Sequence, residues 1–188
     1  MTRVAPNAQF RMSCHNLFFS DYNTIGDVMI TKEQLLQEFD YKDGHLYHRH
    51  DKTNQINAGD RAGSLHNKGY EHVRIAGERY LSHRIVFLMH HGYLPKYVDH
   101  IDNDRLNNRI ENLRECTFSE NRCNAKKYKN NTSGEKGVHF DKAQNKWKAA
   151  VSKGGVKHYV GRFADFESAK SAVRIKRQEL HGNFTNNK

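Results

Sequence analysis

The stretch from Val98 to Asn121, VDHIDNDRLNNRIENLRECTFSEN, sets a carboxylate, a histidine and spaced asparagines into a pattern of strand, turn, strand and helix. Asp99 and His100 are adjacent, and neighbours in an extended segment point to opposite sides, so one can hold a metal while the other activates water. Asn103 to Asn108 is rich in Asn and Asp and turns the chain back through side chain to backbone hydrogen bonds. The apolar return from Ile110 to Cys116 reads as a second strand. Thr117 with Glu120 three residues later is a capping-box signature, which starts a helix at Thr117 and sets Asn121 in its first turns, facing back toward Asp99. Taken singly, these residues also suit a polar, Asn-rich surface hairpin with one histidine; their joint spacing favours a site for phosphodiester hydrolysis.

The order Asp-His, then Asn after thirteen residues, then Asn after a further nine resembles the ββα-metal motif of HNH nucleases. It resembles in particular the phage and group I intron subfamily, in which the outer two ligands are Asp and Asn. The resemblance implies that Asp99 and Asn121 bind one divalent ion, Mg²⁺ or Mn²⁺, that His100 is the general base, and that Asn112 braces the loop orienting His100. A hard ion takes oxygen ligands and keeps several waters, so one carboxylate and one amide oxygen leave room for a scissile phosphate.

Working outward, a chain of 188 residues with 36% hydrophobic content favours two small modules over one large core. Cys14, Cys116 and Cys123 form no CxxC pair, which argues against a disulfide framework or a zinc ribbon and for a reducing, intracellular setting. No run of eighteen apolar residues occurs and no signal-peptide pattern opens the chain, so the expectation is a cytoplasmic protein with no membrane partner. The net charge of +10 is segregated: residues 122–188 carry sixteen Lys and Arg against five Asp and Glu, whereas residues 1–121 carry fifteen against sixteen. A basic segment beside a candidate phosphodiesterase points to a nucleic-acid partner.

Residues 1–28 show no clear period and receive no role. Thr31 with Gln34 opens a helix whose apolar face is Leu35, Leu36 and Phe39, and Asp43-Gly44 marks a turn. GHLYHRH, AGSL, KGYEHVRIAG and ERYL then read as short strands of a small antiparallel sheet, with His45, His48 and His50 as polar strand positions rather than metal ligands. His83 to Gly92 reads as a helix with Ile85, Val86, Leu88 and Met89 inward. A helix beginning His-Arg before the HNH core is similar to that of phage nucleases, and the resemblance implies that His83 and Arg84 approach the substrate backbone.

Beyond the polar stretch KKYKNNTSGEKG, which reads as a linker dividing the chain near Asn130, come three strand-like runs, GVHF, KWKAAVS and KHYVGRF, and a helix from Asp165 to His181. Ser-Gly before Gly-Val, Trp in the middle strand, Gly-Arg-Phe closing the third and an Ala-rich helix ending in His-Gly resemble the plant ethylene-responsive-factor (AP-two) DNA-binding domain. That family lays its three-stranded sheet in the DNA major groove. Alternation puts Trp147, Ala149, Val151, His158 and Val160 inward, and Lys148, Ser152, Lys157 and Tyr159 outward beside Lys136 and His139; Gly161 leaves Arg162 open to either face. Several outward Arg positions of the plant domains are Lys, His or Ser here, which suits phosphate contact better than guanine readout.

The expectation is therefore an α+β chain: a nuclease domain over residues 29–130 with its ββα core at about 97–128, and a DNA-binding domain over residues 131–188. One active site per chain predicts a homing-type endonuclease acting as a monomer on double-stranded DNA and nicking one strand. A non-enzymatic DNA-binding protein with an HNH-like scaffold is the main rival, and an RNA-acting nuclease the third reading.

Overall fold

The computed structural model describes residues 30–127 and 130–187; the readings of residues 1–28 lie outside them. Local grammar sets the first elements. Helix α1, Lys32–Glu38, begins with the expected capping box: the Thr31 side chain accepts from the Gln34 N–H, and Gln34 Oε1 accepts from the Thr31 N–H at 2.9 Å. Leu35 is fully buried, but Leu36 is 42% exposed, and Phe39 enters the core as the first residue of a strand rather than from the helix. A helix this short buries one apolar position, and the next residue points about a third of a turn away.

Strands β1 (Phe39–Lys42) and β2 (His45–His48) form a hairpin through Asp43-Gly44, and β3 (Arg61–Ala62) pairs with β2. Strands β4 (Ser64–Leu65), β5 (Glu71–Ile75) and β6 (Glu78–Leu81) make a second antiparallel sheet, so the single small sheet expected is two. Helix α2, Ser82–His91, lies at the centre, its residues buried without a break from Ser82 to Met89. Burial takes in Phe87 and the polar first turn as well as the expected inward residues Ile85, Val86, Leu88 and Met89, so this stretch of the helix has protein on every side. Ile85, Val86, Phe87 and Leu88 share one cluster with Leu35, Phe39, Leu46 and Val73, and with Val98 and Leu113 of the candidate site. The site hairpin is thus seated on the same core as both sheets.

Strand β7 (Tyr97–His100) pairs antiparallel with β8 (Leu113–Cys116), and helix α3 (Phe118–Asn124) follows directly. The return strand begins three residues later than expected, because Ile110–Asn112 forms a 3-10 turn. Thr117 caps α3 with the capping box to Glu120.

The C-terminal unit has strands β9 (Val138–Asp141), β10 (Lys146–Lys153) and β11 (Val156–Phe163), with β10 in the middle, backed by helix α4 (Phe166–His181). Val138, Ala149 and Val151 pack on Ala169 and Val173, with Trp147 and Val160 at the margin of the cluster. The buried Glu135 carboxylate is held by Arg174 at 2.7 Å and by Arg177, itself buried, at 3.1 Å. The two arginines neutralise a charge whose isolated burial would be costly. Among the described residues no helix is long and apolar enough to cross a membrane.

Candidate nuclease active site

The hairpin register sorts the two adjacent residues Asp99 and His100. Asp99 lies directly opposite Arg114, and His100 opposite Leu113. Cross-strand neighbours share a face, so Arg114 Nε and Nη2 reach Asp99 Oδ2 at 3.0 and 2.8 Å. From α3, Asn124 Nδ2 donates to Asp99 Oδ2 at 2.8 Å, to Oδ1 at 3.1 Å and to the His100 carbonyl at 2.9 Å. The carboxylate is therefore anchored mainly through Oδ2, and Oδ1 keeps acceptor capacity. Asp99, His100 and Asn121 line one cavity of about 680 Å³, together with Tyr70, Asn103 and Arg105.

His100 occupies the other face, buried, with its ring 4.7 Å from that of His83 and its Nε2 3.1 Å from Asn108 Oδ1. The Asn108 amide is oriented by its second contact, since Nδ2 lies 3.3 Å from Glu71 Oε2. A carboxylate only accepts, so the amide nitrogen faces Glu71 and its oxygen faces His100. His100 Nε2 must then carry the proton, and Nδ1 is the basic nitrogen. Glu71 is fixed in turn by Arg61 at 2.7 Å, and Asn108 and Glu71 are both buried. Burial lowers the pKa of His100, against the opposing pull of Asn108 and of Asp99, Asp102 and Asp104, so the imidazole is neutral at physiological pH. The chemistry available is proton abstraction beside an anchored carboxylate.

Asn112 spans the loop that leaves His100. Its Oδ1 accepts from the Asp102 N–H at 3.0 Å, and its Nδ2 donates to Asp102 Oδ1 at 2.9 Å and to the Asn107 carbonyl at 2.8 Å. His83 and Arg84 are buried rather than poised toward solvent. Arg84 donates to the carbonyls of Pro95 and Lys96, at 3.2 and 3.1 Å, tying α2 to the segment entering β7. The expected approach of Arg84 to a substrate backbone is not met: the residue is buried, Nη1 and Nη2 bond those carbonyls, and Nε is enclosed with no hydrogen-bond partner among the described residues. His83 stays beneath His100, where burial and the neighbouring His100 hold its pKa well below the ordinary value.

Four side chains at the site lie outside the sequence reading. Arg114 was legible in principle once β7 and β8 were paired, and Asn124 lies one helical turn beyond Asn121. Asn108 stands in the turn, and Glu71, thirty-seven residues before it, carried no local signal.

In the C-terminal unit β10 and β11 shift register between Ala149 and Ala150, which places Arg162 opposite Lys148, while Lys148 lies opposite His139. These three share the face away from α4 with Tyr159 and with the Ser152–Lys157 pair. Tyr159 is 59% exposed, Arg162 lies 6.0 Å from its ring, and Lys148 also pairs with Asp141 at 2.5 Å. Lys136 is not part of this face: its ammonium donates to the Ala125 carbonyl at 2.8 Å, and burial with the nearby Arg177 pushes its pKa down to about 8.

Residues 80–123 match the HNH endonuclease family. The chain is also 35% identical over 119 residues to Protein 3.8 of Escherichia phage T7, an alignment spanning 62% of this chain and 95% of that protein. The chain carries an HNH endonuclease domain. It is 36% identical over 105 residues to an uncharacterized HNH endonuclease of Acanthamoeba polyphaga mimivirus, covering 54% of each chain. No solved structure matches it.

HNH nucleases generally depend on a divalent metal. Among the described residues no cluster of three or more His, Cys, Asp and Glu side chains could hold one alone. The Asp99–Asn121 pair fits an oxygen-ligated ion nonetheless: Oδ1 retains a lone pair, both residues border one cavity, and a hard ion keeps waters in its remaining positions.

Proposed function

We propose that this HNH nuclease is a homing-type DNA endonuclease that nicks one strand of duplex DNA as a monomer in the cytoplasm, using one Mg²⁺ or Mn²⁺ ion. Asp99 and Asn121 would hold the ion, which would neutralise charge on the scissile phosphate and stabilise the leaving oxygen. His100 Nδ1 takes the proton of the attacking water as its oxygen bonds to phosphorus and the bond to the leaving oxygen breaks. Asn108 keeps Nε2 protonated, and Asn112 holds the loop that carries the histidine out of β7. The observation that carries this reading is a donor-anchored carboxylate and a buried, neutral, tautomer-fixed imidazole bordering one cavity.

The C-terminal unit binds the duplex in this reading. Its outward face offers His139, Lys148, Ser152, Lys157, Tyr159 and Arg162, and the likeness to AP-two domains supports placing that face against DNA, mainly on phosphates.

Incubation of supercoiled plasmid with the purified protein in Mg²⁺, in Mn²⁺ and in EDTA tests the proposal. Metal-dependent nicked circles that disappear with Asp99→Ala and His100→Ala support it. Shifted but uncut DNA across all conditions supports a binding-only scaffold, and cleavage confined to RNA supports the third reading.

A further inference from the structure

We infer that Phe184 and Asn186, at the far C-terminal end of the chain, are positioning residues of the nuclease site, holding Arg114 and Asn124 against the Asp99 carboxylate. The inference rests on the reading of Asp99 as the metal-binding carboxylate.

After α4 the chain turns at Gly182 through a short 3-10 segment, Gly182–Phe184, that packs on α3. Arg114 is then used from every side. Its Nε and Nη2 hold Asp99 Oδ2, its Nη1 donates to the Asn183 carbonyl at 2.7 Å, and its guanidinium carbon lies 3.8 Å from the centre of the Phe184 ring. A guanidinium stacked on an aromatic face and bonded along its edges has one orientation, so the tail fixes which way Arg114 presents its fork. The second anchor is held by the same segment. Asn186, buried, donates from Nδ2 to the Asn124 carbonyl at 2.6 Å, and Asn124 donates to Asp99 and to the His100 carbonyl. The Arg114 side chain and the backbone of Asn124, whose side-chain oxygen accepts from Asn103 at 2.9 Å, are thus both held by residues more than sixty positions later in the chain.

The tail is itself secured to the basic unit, through the Thr185 hydroxyl on the Arg177 carbonyl and a bond from Arg177 to Asn187. A metal-binding carboxylate needs its free oxygen aimed, and the groups that bond its other oxygen do the aiming. Here that outer layer is completed by the unit proposed to hold DNA. The nuclease hairpin and α3 supply Asp99, His100 and Asn121, but the orientation of Asp99 depends on the end of the chain.

The test uses the full-length protein with Phe184→Leu, Phe184→Trp, Asn186→Ala and Asp99→Ala. Mn²⁺ affinity is read by calorimetry without DNA, duplex affinity by gel shift in EDTA, and cleavage on supercoiled plasmid. Phe184→Leu keeps apolar bulk but removes the aromatic face, and with Asn186→Ala it is expected to weaken Mn²⁺ binding by about ten-fold, with cleavage falling alongside and duplex affinity in EDTA unchanged. Phe184→Trp restores the aromatic face and is expected to bind Mn²⁺ like the native protein. A role confined to stability would lower the melting temperature of Phe184→Leu without moving Mn²⁺ affinity measured far below it, and that result overturns the inference. Should Asn186→Ala not fold, the contrast between Leu and Trp at position 184 decides alone. Asp99→Ala separates the two layers: native Mn²⁺ binding by that variant removes Asp99 from the metal site and the inference with it, whereas its loss beside native binding in the Phe184 variants overturns the inference only.

Discussion

His100 donates its Nε2–H to Asn108 Oδ1 across 3.1 Å, and Asn108 in turn donates to Glu71 Oε2 across 3.3 Å. The contact joins the β7–β8 hairpin to β5 of the second N-terminal sheet, so the sheet that precedes the HNH core sets the tautomer of His100. Replacement of His100 by Ala is expected to slow single-turnover plasmid cleavage by about 10²–10⁴-fold. Asn108→Leu, similar in size but without the amide, should slow it by a smaller factor, because the ring remains but Nε2 loses its acceptor. Gel shifts in EDTA should show native duplex affinity for both, since neither side chain is a phosphate anchor. Full cleavage by Asn108→Leu would remove the amide from the orientation of the base.

Burial lowers the pKa of both His100 and His83 in the folded chain, while the unfolded chain titrates at the ordinary value near 6.5. As pH falls through 6.5 the unfolded state takes up protons that the folded state refuses, so stability is full above that pH and declines below it. Each histidine contributes a slope of at most about 1.4 kcal/mol per pH unit in that window. Thermal melts at pH 7.5 and pH 5.5 should show a lower melting temperature in acid, and His83→Phe should reduce the difference. An unchanged difference in that variant would assign the acid sensitivity to other groups.

How much of this site can be read from the sequence depends on how local each relationship is. The two capping boxes, the Asp43-Gly44 turn and the alternation that sends Trp147, Ala149 and Val151 inward each rest on residues a few positions apart, and each is present in the fold. Leu36, Arg84 and Lys136 depart from expectation because their surroundings come from distant elements. Leu36 meets no covering layer among the described residues, Arg84 meets the carbonyls before β7, and Lys136 meets the end of α3. The anchors of Asp99 are mixed in this respect, since Arg114 follows from hairpin register whereas Phe184 and Asn186 arrive only through tertiary structure.

Gly137, at the entrance to β9, has a φ of +75°, and a Cβ added there would lie 2.2 Å from the Ala150 carbonyl oxygen. That oxygen belongs to the central strand, whose N–H at Ala150 also donates to the Gly137 carbonyl at 2.9 Å, so neither backbone can withdraw without breaking the pairing. Gly137→Ala should destabilise the C-terminal unit by about 1–3 kcal/mol from backbone strain alone, with the steric clash adding to it. Thermal or urea unfolding followed by Trp147 fluorescence reads this unit, because the chain has one tryptophan and it lies at that core. A native transition in the variant would mean that the β9 entrance relaxes freely.

If the outward face of β10 and β11 meets DNA as proposed, side-chain chemistry separates phosphate anchoring from base contact on it. Lys157 is exposed and makes no ion pair among the described residues, whereas Lys148 is already paired with Asp141. Lys157→Ala should therefore weaken duplex binding evenly across sequences and reduce the slope of log affinity against log salt by about one, while Lys148→Ala should do less. Arg162 differs from both, because its planar fork sits beside the exposed Tyr159 ring and is able to bond a guanine edge in two places. Arg162→Lys keeps the charge and loses the fork, so its affinity for random duplex should hold while any preference among sequences narrows. Competition gel shifts between random and selected duplexes measure both effects, and equal losses at Lys157 and Lys148 with no change at Arg162 would move the contact surface off this face.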